Sequence, residues 1–337
     1  MSPFLLLGLM ALGLSLPHFV NDDDLDDTDT QEPTDPAETI VGTAGDDALV
    51  ALDNQILNGL DGNDILSTDD LAGAATLDGG LGTDTLTGSG TDILLAGGGG
   101  ADVLTLETAF DPATEVSSSA NGGDGDDTIT ATGIGGSVDG GGADDVISVQ
   151  GAFETITGGN GDDTIVSDSA DFGGGTPVDG GAGNDDITIS DNAGTGFSTQ
   201  INGGDGNDAI RSMVLWGDAT SADVLTGGAG ADSFTVGFIQ LGANDGTLGQ
   251  VMEITDFDPA EDQLAIDLSG FDIFGDDNSA LNSLNFDLLE RADGTGTDLV
   301  FTVQNGAATG DLTGNIFLSN ATGIDPAAIV FTIADAA

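Results

Sequence analysis

The chain has 337 residues and carries 60 acidic side chains against two basic ones, Arg211 and Arg291, for a formal charge of −58. This balance excludes a surface that binds nucleic acid or anionic lipid, because both need clustered lysine and arginine. The sequence has no lysine, no cysteine and one histidine, His18, which also excludes Schiff-base chemistry, a Walker-type phosphate loop, disulfides and the usual zinc sites.

Residues 1–20 form an apolar segment in which the run from Phe4 to Leu16 is uninterrupted by charge. That run is shorter than the roughly 20 residues of a membrane-spanning helix and has the length of a signal-peptide core. No basic residue precedes it, and no A-x-A cleavage site follows. The segment is therefore predicted to be an atypical export signal or a membrane anchor through residues 3–20, with a buried core helix as the alternative.

Residues 21–38 are a run of like charges with two prolines and few apolar side chains. Mutual repulsion extends such a chain, and nothing in it can form a core. We expect an acidic, disordered linker.

Residues 39–235 contain ten copies of a nine-residue pattern, with glycine first and fourth, aspartate sixth and an apolar residue eighth. Clear copies are GGLGTDTLT, GGDGDDTIT and GGNGDDTIV. The eighth position is apolar in all ten copies, and a further apolar residue lies two positions before the first glycine in nine. The sixth-position aspartates are Asp47, Asp64, Asp84, Asp102, Asp127, Asp145, Asp163, Asp185, Asp208 and Asp232.

The spacing of these aspartates never falls far below 18 residues, which is two units of the pattern. A repeat of this kind predicts a solenoid, in which each coil buries its apolar residues against its neighbours. Segments such as Thr128-Ile129-Thr130 should form short strands with isoleucine inward and threonine outward. Ten coils at about 4.8 Å each would give a rod near 50 Å long.

The loop composition suits calcium. Glycine permits the positive φ angles of a tight turn and leaves backbone carbonyls accessible. Ca²⁺ takes six to eight oxygen ligands, which two loops stacked one coil apart can supply together. The predicted metal site therefore combines the ten aspartates with the first glycines of the best units, Gly79, Gly97, Gly122, Gly140, Gly158, Gly180, Gly203 and Gly227. A solenoid of the same kind that binds no metal, and a low-complexity disordered chain, are the alternatives.

Over about residues 40–235 the chain closely resembles the RTX, or hemolysin-type calcium-binding, repeat family. The resemblance implies an all-β, right-handed parallel β-roll with Ca²⁺ between successive loops. Three departures predict weaker loops, since Thr43 and Leu60 replace the second glycine and Ala143 replaces the fourth.

Residues 236–337 lack the repeat. We predict strands around a turn at Pro259 and a hairpin within residues 284–304. This tail resembles the β cap that follows the rolls of serralysin-type proteases, which implies an uncleaved C-terminal type I secretion region. The protease motif HExxH cannot be written with one histidine.

The sequence thus predicts a secreted, non-catalytic calcium-binding protein whose folding depends on external Ca²⁺. A second hypothesis is a calcium-dependent adhesin with an unknown cell-surface or glycan partner. It would bind through insertions near Trp216 or through outward threonines, namely Thr85, Thr128, Thr130, Thr164 and Thr188. A third is a polysaccharide-active enzyme that uses paired carboxylates.

Overall fold

The computed structural model describes residues 38–69, 73–108, 118–168, 175–191, 198–216, 222–240, 247–267, 284–303 and 312–332. The apolar segment and nearly all of the acidic linker lie outside these ranges, as do parts of the predicted insertions. The described residues are almost entirely β-strand, and the only helical element among them is the 3₁₀ turn Pro326–Ala328. Within these ranges no helix is long and apolar enough to cross a membrane.

Twenty-two of the 24 strands stack into two parallel ladders that share two long strands. The first ladder contains β2 (Ala48–Ala51), β4 (Ile65–Thr68), β6 (Thr85–Gly90), β8 (Val103–Thr108), β10 (Thr128–Gly142), β11 (Val146–Asn160), β12 (Thr164–Asp168), β14 (Asp186–Asp191), β16 (Ala209–Trp216), β18 (Ser233–Gln240), β20 (Gln263–Asp267) and β24 (Ile329–Thr332). The second contains β1 (Glu38–Val41), β3 (Gln55–Asp61), β5 (Ala75–Leu81), β7 (Ile93–Gly99), β9 (Ser119–Asp124), the C-terminal halves of β10 and β11, β13 (Val178–Ala182), β15 (Gln200–Asp205), β17 (Asp223–Ala229), β19 (Thr247–Ile254) and β23 (Leu312–Ser319).

Successive coils stack in register, so that each eighth-position residue pairs with its equivalents above and below. Leu86 pairs with Leu66 and Leu104, for example. The apolar residues at this position are fully buried from the second copy onward, and those two positions before the first glycine are buried as well. The core is therefore a double column of mainly aliphatic side chains between the two ladders, as the two apolar positions of the repeat predicted.

The parallel pairing continues past residue 235. In the first ladder β18 pairs with β20, and β20 with β24; in the second β17 pairs with β19, and β19 with β23. The antiparallel hairpin of β21 (Leu284–Glu290) and β22 (Gly296–Val303) then adds to β23, which confirms the predicted hairpin. Arg291 lies at its turn, bound to Asp298 at 2.7 Å and stacked 3.4 Å above the ring of Phe317.

The predicted all-β, parallel roll is thus the architecture of the described chain. Each coil passes one edge at the aspartate loop and the opposite edge at a second, variable connection. The predicted insertions, residues 107–120 and 212–223, fall in connections of this second kind, between β8 and β9 and between β16 and β17. Residues 109–117 and 217–221 within them lie outside the described residues. At the other edge, the aspartate loops therefore stack on one another without insertions.

Candidate metal centre

In every unit from the one that begins at Gly59 onward, a left-handed backbone at the second and fourth positions shapes the loop before the first ladder. In the unit that begins at Gly79, Gly80 has φ +103° and Gly82 has φ +145°. Neither position has room for a side chain, because a Cβ on either glycine would overlap a backbone carbonyl of the preceding coil. Leu60 (φ +82°) and Ala143 (φ +81°) take the same conformation, so the loops with these replacements keep their shape at the cost of strain.

One carboxylate oxygen of each sixth-position aspartate holds the coils together. Oδ1 of Asp145 accepts the backbone N–H of Asp127 at 2.7 Å, and Oδ1 of Asp163 accepts that of Asp145 at 2.8 Å. The same bond joins every successive pair from Asp47 and Asp64 to Asp208 and Asp232. We call this column the aspartate ladder. From Asp64 onward its side chains are almost fully buried, at 0% to 3% exposure.

The other oxygen, Oδ2, is buried without a hydrogen-bond partner at eight consecutive rungs of the ladder. These rungs are Asp64, Asp84, Asp102, Asp127, Asp145, Asp163, Asp185 and Asp208. A buried acceptor in this state costs free energy, and buried polar groups in proteins are nearly always satisfied. Eight identical exceptions in one column therefore form a row of buried acceptors that a cation or a proton could satisfy.

The first glycine of each unit lies beside this oxygen. A Cβ on Gly140 would overlap both Oδ2 of Asp145 and the carbonyl oxygen of Gly158 in the next coil. The equivalent overlap occurs at each of Gly59, Gly79, Gly97, Gly122, Gly158, Gly180 and Gly203, and involves the aspartate of the same unit and the first glycine of the next. A carboxylate oxygen and a carbonyl oxygen thus converge at every rung, and neither can donate a hydrogen bond to the other while the aspartate is ionised.

Burial in this column disfavours the charged carboxylate. Desolvation raises the pKa of Asp145 to about 7 and those of Asp127, Asp163 and Asp185 to about 6, against the lowering effect of the backbone N–H bond. The pKa values of Asp64, Asp84, Asp102, Asp208 and Asp232 are raised for the same first reason. A cation at each rung would reverse this effect, because opposite charge favours the ionised form.

The two ends of the ladder satisfy their own second oxygens. Oδ2 of Asp47 accepts bonds from the backbone N–H and the hydroxyl of Thr43. At the other end Oδ1 of Asp262 accepts the N–H of Asp232 at 2.9 Å, and its Oδ2 accepts the N–H of Asp258 at 2.7 Å. The open rungs are therefore the eight from Asp64 to Asp208. Gly227, a predicted site residue, borders the last loop, where Asp256 instead accepts its N–H at 2.9 Å.

Sequence reasoning missed Asp262 and Asp256 because their loop, Thr255-Asp-Phe-Asp-Pro-Ala-Glu-Asp262, lacks every glycine of the pattern. The signal that could have found Asp262 is the segment after it. Leu264 lies two positions beyond this aspartate and is fully buried, like the eighth-position residues of the repeat. A search for an aspartate followed by alternating apolar residues would have extended the ladder by one rung.

The donors at each rung fit a hard cation better than a transition metal. Among the residues that the structure describes, no three histidine, cysteine, aspartate or glutamate side chains converge on one point. Each open rung offers one carboxylate oxygen and one glycine carbonyl oxygen, and further ligands would have to be backbone oxygens or water. All-oxygen donor sets of this kind suit Ca²⁺, which accepts carbonyls and waters in variable number.

No protein-family model matches the chain, and a search of curated proteins finds no match.

Proposed function

We propose that the chain is a calcium-binding β-roll protein of the RTX type, exported from the cell, whose folding is coupled to external Ca²⁺. The observation that supports this most is the column of eight partnerless Oδ2 atoms, each beside a glycine carbonyl of the next coil. The residues that would hold Ca²⁺ are the aspartates of those eight rungs with the first glycines of the following units. The role is structural and non-catalytic.

Charge supports a cation over a proton at neutral pH. The chain carries −58, and this total includes one buried ladder carboxylate in every coil from Asp64 onward. With pKa values of about 6, Asp127, Asp163 and Asp185 are mostly ionised at pH 7.5. Eight divalent ions would contribute +16 and would supply the attraction that the converging acceptors lack. In a cell the free Ca²⁺ concentration is low, which is why we place the folded protein outside it.

Binding and folding are coupled because the site does not exist in the extended chain. Each pair of oxygens comes from two coils, with sequence separations such as 18 residues between Asp145 and Asp163. A ligand that binds only the folded state stabilises that state by mass action. Interior rungs should therefore fold together as calcium rises.

The number of bound ions tests the proposal. Equilibrium dialysis of the full chain at pH 7.5 should give about eight Ca²⁺ per chain, one for each open rung. The triple variant Asp127→Asn, Asp145→Asn and Asp163→Asn should bind about three fewer, since an amide nitrogen replaces each open oxygen. The matched control is Asp126→Asn, Asp144→Asn and Asp162→Asn, which removes three exposed carboxylates from the neighbouring loop position and leaves the ladder intact. Equal calcium loss in the two triple variants, or no binding by the parent, would refute the proposal.

A further inference from the structure

The outer face of the second ladder contains a cleft of about 320 Å³, far from the edge that carries the aspartate ladder. The cleft crosses four successive strands, β11, β13, β15 and β17, which are stacked in register. Its volume lies in the range of small-molecule binding sites, roughly 300–1,000 Å³. We call it the second-ladder cleft, and the outward side chains that border it include Thr157, Asp179, Asn202 and Thr226 in one row and Pro177 and Gln200 in the next.

An asparagine–aspartate pair on the two middle strands of the cleft is held in one orientation. Nδ2 of Asn202 donates a hydrogen bond to Oδ1 of Asp179 at 2.9 Å. Oδ2 of Asp179 and Oδ1 of Asn202 then accept no hydrogen bond from any residue that the structure describes. The amide of Gln200 and the hydroxyls of Thr155 and Thr157, which also line the cleft, can donate as well as accept. A ligand that fits this lining must therefore offer donors and acceptors close together.

The charge of the lining excludes anions and metal ions. The sequence has no lysine, and neither arginine lines the cleft, so a phosphate, sulfate or carboxylate group would meet no cation there. The net charge of −58 would also repel such groups on approach. Asp179 is the only carboxylate in the lining, whereas Ca²⁺ takes six to eight oxygen ligands. The ligand is therefore uncharged.

The strands of the cleft also leave no backbone edge for an extended peptide. β13 pairs with β11 and β15, and β17 pairs with β15 and β19, so the main-chain groups beneath the cleft are already used in the ladder. Binding by strand addition needs an open sheet edge. A second copy of the chain is disfavoured as the occupant because its charge of −58 would repel.

We propose that the second-ladder cleft binds a neutral carbohydrate. Every sugar hydroxyl is both a donor and an acceptor, which matches the mixture of carboxylate, amide and hydroxyl groups in the lining. Pro177 and Val224 add apolar contact for the C–H groups of a sugar ring. The cleft is distinct from the insertions near Trp216 and from the outward threonines of the first ladder. Its binding goes beyond calcium binding and depends on it only through the folding of the roll.

Isothermal titration calorimetry of the calcium-loaded full chain tests this inference. The probes are neutral hexasaccharides of glucose, mannose, galactose and N-acetylglucosamine, of which at least one should bind. Asn202→Ala should weaken that binding by about tenfold, because it removes one acceptor and the bond that orients Asp179. Gln200→Ala, at an exposed position of the cleft, is the second variant if Asn202→Ala fails to fold, and it should also weaken binding.

The matched control is Asn121→Ala. Asn121 donates the same kind of hydrogen bond to Asp139, at 3.0 Å, from the same row of the second ladder but outside the cleft. Its replacement should leave sugar binding unchanged, while any general effect of removing such a pair from the roll would appear in both variants.

Three results would overturn the inference. They are a folded chain that binds none of the four sugars, an equal loss of binding in Asn121→Ala and in the cleft variants, and binding of an anionic oligosaccharide such as oligogalacturonate in place of the neutral ones. Circular dichroism of the same samples shows which variants are folded. A roll that is already folded in chelator would refute calcium-coupled folding and would still bind the sugar, so the two proposals fail separately.

Discussion

Asp145 and Gly158 lie on neighbouring coils, and the free carboxylate oxygen of the first and the carbonyl oxygen of the second both lie where a Cβ on Gly140 would be. The other oxygen of Asp145 is already bonded to the N–H of Asp127. Each rung of the ladder therefore has one oxygen that holds the coils together and one that needs a cation. This division determines how substitutions in the ladder should behave.

Asp145→Asn and Asp145→Ala should differ in their effect on stability in chelator. Asparagine can keep the acceptor for the Asp127 N–H and place its amide N–H₂ toward the Gly158 carbonyl, so it should stabilise the calcium-free roll. Alanine leaves a buried N–H unsatisfied and should cost about 1–3 kcal/mol. Urea unfolding of both variants in excess chelator at about pH 5, where the raised pKa values keep the other rungs largely protonated and favour the calcium-free roll, measures the difference. Equal midpoints would contradict the division of roles between the two oxygens.

Asp47→Ala should lose less calcium than Asp145→Ala. The second oxygen of Asp47 already accepts two bonds from Thr43, whereas that of Asp145 has no partner. Calcium binding measured by dialysis should fall by about one ion in Asp145→Ala and remain near the parent value in Asp47→Ala. A loss of the same size in both variants would show that the first loop also binds an ion.

Stability in chelator should fall as the pH rises from about 4.5 to 7.5. Burial raises the folded-state pKa of Asp145 to about 7 and of Asp127 to about 6, above the ordinary value of 3.8. The folded chain thus binds more protons than the unfolded one in this range, and its stability is lost as those protons leave. In saturating Ca²⁺ the trend should reverse, since protons compete with the ion. Urea midpoints measure both trends, together with the folded fraction from circular dichroism at the pH values where the calcium-free chain is already unfolded. A calcium-free roll that gains stability toward pH 7.5 would contradict the raised pKa values.

Leu60→Gly and Ala143→Gly should each stabilise the roll by about 1 kcal/mol. Both residues hold a left-handed backbone that is strained for any residue with a Cβ. Ala101→Gly is the control, because Ala101 occupies an exposed loop position outside the residues of positive φ and glycine there only adds freedom to the unfolded chain. The measurement is the unfolding midpoint in saturating calcium; stabilisation by Ala101→Gly of the same size would rule out relief of strain as the cause.

Deleting residues 284–337 should raise the calcium concentration needed for folding. The deletion removes β23 and β24, which pair with β19 and β20 at the end of the two ladders. Unpaired strand edges and the apolar residues behind them then favour end-to-end association. Calcium titration followed by circular dichroism, together with sedimentation velocity, checks both effects. A truncated chain that folds at the parental calcium concentration and stays monomeric would show that this region does not cap the roll.

The buried core and the edge that carries the aspartate ladder could be predicted from the sequence, because both follow from its periodicity. The buried positions of Leu104 and Ile147, for example, are set by a two-unit repeat that is visible without any structure. The last rung at Asp262 was missed because its loop turns through proline and side-chain bonds instead of glycine. The different roles of the two carboxylate oxygens also could not be predicted, since spacing fixes where an aspartate lies but not which oxygen meets the next coil.

Far-UV circular dichroism of the full chain at pH 7.5, first in excess chelator and then during a titration with Ca²⁺, tests the central claim most directly. The spectrum in chelator should be that of an unfolded chain, because eight buried carboxylate oxygens then lack a partner, and it should change cooperatively to a β-rich spectrum at millimolar Ca²⁺. The same titration with Mg²⁺ should give a weaker response, since this ion demands a stricter geometry. A β-rich spectrum that is already complete in chelator and unchanged by Ca²⁺ would contradict the account.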